Sequence, residues 1–273
     1  MDYTNREVFP ASPLALVAAE VRFSVAPRLR QQATLDEIAI ALESRFPVQQ
    51  PPGEGMSLLL GGDASQLTIG QGGGGLLLRD VSGTTALTIL PNRMTLETTA
   101  YSEFPAFKAD LVTSCDALAE AGVISAIERV GLRYIDEIRV PAGTISDARD
   151  WADWIDPRLV DHVSVGPRGV PVTMSQGLIS YMLDEQRTLN VRFAALPNGA
   201  VVQPTTLARK PFVEGPLFVL DFDGSQDMSG ATATLFSTEV ISSAIDAVHG
   251  PAGETFQNTI TDRARELFRR RTA

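Results

Sequence analysis

Between Pro51 and Thr99 the sequence shows no helical period. Short apolar runs, "SLLLGG", "QLTIG", "GLLLRDVSG", "TALTILPNR" and "MTLETTAY", follow one another with glycines or a Pro91-Asn92-Arg93 turn between them. Runs of this length bounded by turn residues read as strands of an antiparallel meander. Because consecutive strands meet at short turns with no helix between them, the expected class is α+β, with antiparallel β-sheets and long packed helices.

The flanking segments fit that class. "LALVAAEVRFSV" places Val17, Ala19, Val21 and Phe23 on one face and Glu20 and Arg22 on the other, the pattern of a half-buried strand. "TLDEIAIALESRF" has Thr34 followed three residues later by Glu37, a capping-box signature, with Leu35, Ile38, Leu42 and Phe46 at helical spacing. "YSEFPAFKADLVTSCDALAEAG" reads as a long helix with Ser102 as cap, Phe104, Phe107, Leu111 and Leu118 on its buried stripe and Gly122 as terminator.

After Pro141, "ARDWADWIDPRLV" carries both tryptophans. A second β-rich stretch follows, and the helices "STEVISSAIDAVHG" and "GETFQNTITDRARELFRRR" end the sequence. Two similar halves are thus expected, residues 1–140 and 141–273, as two domains or one integrated domain, although no residue-level repeat relates them.

The segment "ERVGLRYIDEIRV", residues 128–140, concentrates charge in what otherwise reads as a strand. Alternation puts Val130, Leu132, Tyr134 and Ile138 on one face and Arg129, Arg133, Ile135 and Glu137 on the other. The apolar face belongs to the core. The arginine face must be solvated or paired, and a neighbouring "AEVRF" strand would let Glu20 bridge Arg133 or Arg129 in bidentate fashion. Glu20, Arg22, Arg129, Arg133, Tyr134 and Asp136 are therefore the candidate residues, either structural or as an anion-binding or partner-docking strip.

Composition narrows the function. A formal charge of −10 opposes the counterion-release attraction of duplex nucleic acid, so general nucleic-acid binding is not expected, and a basic partner is favoured over an acidic one. The charge is unevenly placed. Eight acidic residues and no Lys or Arg lie between Pro211 and Asp262, and Arg263, Arg265, Arg269, Arg270 and Arg271 follow, which reads as a solvated acidic half and a helix with a positive end. The single cysteine, Cys115, rules out an internal disulfide and a thiolate zinc cluster and reads as a small core residue. A polar N-terminus and the lack of an apolar run near 18 residues lead to the expectation of a cytoplasmic chain with no membrane segment.

Three motifs invite chemistry. "GQGGGG" at Gly70–Gly75 lacks the Gly-Lys-Ser/Thr and the following helix of a phosphate loop, and reads as a hairpin loop. "DFDGSQD" offers Asp221 and Asp223 at the end of an apolar strand as weak candidates for a metal, but its glycine and twelfth position do not fit a calcium loop. His162 lies in a loop and His249 at the end of a helix, and neither accompanies a nucleophile motif. No cofactor is implied.

Taken together, "PLALVAAEVRF", "RVGLRYIDEI" after a long helix, "LDFDG" closing an apolar strand and "AVHG…ETFQNTITDRARELF" resemble a family of sporadically distributed bacterial and phage proteins of unknown function. The resemblance spans nearly the whole chain. Its most specific part is Gly131-Leu132-Arg133-Tyr134-Ile135, and Asp136 stands where that family usually has asparagine. The resemblance implies an accessory protein compatible with phage defence, toxin–antitoxin or immunity systems. The leading expectation is a non-enzymatic module that binds another, basic protein through an acidic surface, with a homo-oligomer allowed. The alternative is a small-molecule or metal-dependent enzyme or ligand sensor, using Arg129 and Arg133 for an anion and Asp221 and Asp223 for a metal.

Overall fold

The computed structural model describes residues 7–50, 57–58, 74–203 and 207–269. Strand β1 (Leu14–Phe23) leads to helix α1 (Gln32–Leu42) and then to β2 (Val48–Gln50), β3 (Ser57–Leu58), β4 (Leu76–Arg79), β5 (Thr85–Leu90) and β6 (Arg93–Thr98). Helix α2 (Phe104–Glu120) connects to the long β7 (Ala126–Arg139). Beyond a run of 3-10 turns come β8 (Ser175–Met182), β9 (Arg187–Leu196), β10 (Val202–Gln203), β11 (Leu217–Asp227) and β12 (Thr234–Leu235), then α3 (Thr238–Thr259) and α4 (Asp262–Arg269).

The strands form one antiparallel sheet in the order β2-β4-β5-β6-β1-β7-β11-β9-β8, with β12 also pairing β7 and a separate β3–β10 pair. This is an α+β fold. One wiring occurs twice: β1 lies beside β6 and β7 beside β11, in each case the last long strand of the meander that follows it, and a helix comes next. Because β7, within residues 1–140, pairs with β11, within residues 141–273, the sheet spans both stretches.

All four helices cover the same face of the sheet. There Val17, Val21, Leu132, Ile138, Phe218 and Phe222 meet apolar residues of α1, α2, α3 and α4 in the main core. On the opposite face a smaller cluster joins Leu16, Ile135, Leu217 and Val219 to Val201, Val202 and Leu207. No helix among the described residues is long and apolar enough to cross a membrane.

Several element ends differ from the sequence reading. Helix α1 starts at Gln32 without a side-chain cap, and Thr34 lies inside it, buried. Helix α2 starts at Phe104 rather than after Ser102, and Pro105 in its first turn lacks the N–H that a cap would satisfy. Gly122, at φ +59°, ends it as expected.

Helix α3 does not stop at His249 but continues through Pro251 to Thr259. The proline forfeits one hydrogen bond. Burial of Ala252, Gln257 and Thr259 beyond it offsets that loss. Most of "SLLLGG", all of "QLTIG", Gly70–Gly73, Arg270 and Arg271 lie outside the described residues.

Candidate functional site

β7 is buried on both faces, and its two faces solve the problem of charge differently. On the face away from the helices, Arg129, Gly131, Arg133, Ile135 and Glu137 alternate as the sequence predicts. Arg133 does not bridge Glu20. Its Nε and Nη2 donate to the two carboxylate oxygens of Asp221 on β11, at 2.7 and 2.6 Å. The reason is register: Ala18, not Glu20, lies opposite Arg133 on β1, whereas β11 brings carboxylates to its other side.

Glu20 instead accepts from Arg22 at 2.6 Å and from Arg129 at 3.3 Å. Arg129 also approaches Asp223 at 3.6 Å, and Arg192 of β9 reaches Asp221 and Asp223 at 3.5 and 3.7 Å. Gly131 makes this arrangement fit. A Cβ there would stand 3.0 Å from Nη1 of Arg129, so the bare backbone lets that guanidinium fold back over the strand toward Glu20.

Asp221 and Asp223, the metal candidates, are thus held by arginines. They also lie within β11, which extends to Asp227, rather than at its end. Asp221 is fully buried, so the stretch between Pro211 and Asp262 is not the wholly solvated acidic half its composition predicts. No group of three or more His, Cys, Asp or Glu side chains among the described residues has the arrangement of a metal site.

On the same face Glu97 of β6 is buried, and burial alone pushes its carboxyl up to about 7. Glu137 shows the opposite outcome. Burial pushes it up, but Arg209, the Val202 N–H and Arg139 bond the carboxylate and hold it below the usual range.

The helix-covered face of β7 carries Tyr134 and Asp136, two residues apart and hence on one side of the strand. Both line a cavity of about 930 Å³ bounded by the segment before β1, the β6–α2 connection, α3 and α4. The Tyr134 hydroxyl lies 2.8 Å from Nδ1 of His249 on α3, one donating and the other accepting according to the imidazole tautomer. The His249 ring stacks on Phe104, with centroids 3.7 Å apart and planes 7° from parallel. The stack on Phe104 and the hydrogen bond with Tyr134 together fix the imidazole.

Asp136, one residue from the well-bonded Glu137, is 3% exposed, and its carboxylate has no hydrogen bond or ion pair among the described residues. Burial, and then the negative charge of Asp221, push its carboxyl up to about 8. A buried carboxylate without a partner is costly, and such groups are enriched at functional sites.

The site so assembled differs from the sequence reading. Tyr134 and Asp136 come together in the cavity; Glu20, Arg22, Arg129 and Arg133 lie on the other side of the sheet. His249 joins the site because α3 continues past it and packs on β7. Cys115 is buried in α2, and burial pushes its thiol up, against thiolate chemistry. His162 meets the edge of Phe193 in a 3-10 turn, away from the cavity residues named above. Neither protein-family models nor curated protein sequences match this chain.

Proposed function

We propose that the protein binds a small organic molecule in the cavity between β7 and α3. The observation that carries this reading is Asp136: a buried carboxyl with no hydrogen bond or ion pair among the described residues, on the wall of a cavity whose volume lies within the range of ligand sites. The Tyr134–His249 pair, braced by Phe104, adds a second polar point, and the remaining walls are largely apolar. This is the ligand-sensor alternative moved to different residues, since the arginines first considered for an anion are engaged with carboxylates.

Docking of a basic protein on an acidic surface is supported by the −10 charge. It is weakened by the internal pairing of Asp221 and Asp223.

A neutral, polarity-sensitive dye such as Nile red tests the cavity without presuming a charge. Saturable fluorescence enhancement in the wild type, reduced at least about tenfold in affinity by Ser102→Trp at an exposed lining position, is the expected result. Enhancement indifferent to that substitution would place the dye elsewhere and remove the support for the reading.

A further inference from the structure

The cavity's charge and wall chemistry together specify a ligand class. We infer that it takes an organic cation, an ammonium whose charged head meets Asp136 and whose apolar body lies among aromatic rings; this rests on the cavity being a ligand site. The walls carry Phe9, Tyr101, Phe104, Phe222, Phe256 and Phe268. Aromatic faces attract a cation, and more strongly when it is desolvated.

The other buried carboxylate at the cavity is already engaged: Glu137 is bonded by Arg139 and Arg209. Glu7, nearer the surface, is held by Arg265 and Arg269. The cations that line the cavity nearby, Arg139 and Arg209, are accordingly committed to Glu137, and Lys210 sits exposed. Among the described residues, Asp136 is left as the deep ionisable group that a ligand can meet. A cation there favours the ionised form of the Asp136 carboxyl, and so gains an ion pair and a carboxylate hydrogen bond that a neutral isostere lacks. The −10 charge of the chain adds a field that draws cations inward.

Matched probes separate charge from shape. Tryptamine and phenethylamine, and their alcohols tryptophol and 2-phenylethanol, would be titrated by calorimetry into the wild type, Asp136→Asn and Phe256→Leu, each checked for native melting. The expected result is at least about tenfold tighter binding of each amine than its alcohol. Asp136→Asn should abolish that preference and leave the alcohols within about twofold, and Phe256→Leu should weaken the amines more than the alcohols.

Equal or tighter binding of the alcohols, with Asp136→Asn without effect, would overturn the cation assignment while leaving the cavity as a ligand site. Binding of neither class, with Nile red still blocked by Ser102→Trp, would likewise overturn the cation and spare the cavity. Loss of the dye result as well would overturn both.

Discussion

Arg133 does not bond the carboxylate directly opposite it. Its register partner on β11 is Asp223, yet both of its short hydrogen bonds go to Asp221, two residues earlier on that strand. The diagonal leaves Asp223 to Arg129 and Arg192, so one displaced contact links arginines of β7 and β9 to the carboxylates of β11 between them. The network ties together the central strands from both halves of the chain.

Breaking that pair from one side strands a buried charge. Arg133→Ala is expected to lower unfolding stability by about 3–5 kcal/mol, whereas Arg133→Met combined with Asp221→Leu recovers most of the loss, because a well-packed apolar pair can replace a buried ion pair. Urea unfolding of Arg133→Ala and of the double variant measures this. A loss below about 1 kcal/mol in Arg133→Ala would show that the pair does not hold the strands.

Gly131→Ala gives a prediction whose sign depends on its neighbour. In the wild type the new methyl meets the Arg129 guanidinium at 3.0 Å and displaces it from Glu20, for a loss of about 1 kcal/mol or less, since the obstructing atoms end a flexible side chain. In an Arg129→Ala background the same change should be neutral or stabilising, because alanine is then free of the clash and lowers the entropy of the unfolded chain. A double-mutant cycle reads the coupling directly.

Asp136 and Glu97 make stability fall as pH rises. Both carboxyls have folded pKa values raised above their unfolded ones, to about 8 and about 7. Below about pH 4 both states hold the protons and the groups impose no penalty. From there to about pH 8 the unfolded chain ionises first and binds fewer protons, so stability declines. Glu7, Asp80 and Glu137, with lowered values, act oppositely and lose stabilisation as pH falls. Melting temperatures from pH 5 to 9 should therefore show a flatter high-pH decline in Asp136→Asn and Glu97→Gln than in the wild type. An unchanged slope in both would contradict their burial as acids.

Cys115 should resist a thiol reagent in the native protein and react only on unfolding, since it is buried and its thiolate is disfavoured. Reaction with a disulfide reagent before and after urea addition checks this, and fast native reaction would contradict it.

Much of the fold was legible because period-2 alternation in β1 and β7 is a local property. So were the turn read at Pro91-Asn92-Arg93, although Arg93 itself begins β6, and the stop at Gly122. The partner of Arg133 was not legible, because it depends on which strand enters the sheet beside β7, a fact of topology rather than of local pattern. The site left one faint trace. Asp136 is the single carboxylate in the otherwise apolar series Val130, Leu132, Tyr134, Ile138, and a charge in a core-facing stripe marks a place where the core is not closed. His249 was obscured by Gly250 and Pro251, which read as a helix end until the packing of the residues beyond them is known.

The measurement that bears most directly on the cavity is the position of a bound ligand in a crystal of the wild-type protein grown with the tightest-binding amine of the calorimetric series. The expected result is density between β7 and α3, with the ammonium within hydrogen-bonding distance of Asp136 and the body against Phe104, Phe222 or Phe256. Density over the arginine-bearing face instead, or an empty cavity in crystals saturated with a ligand that binds in solution, would contradict it.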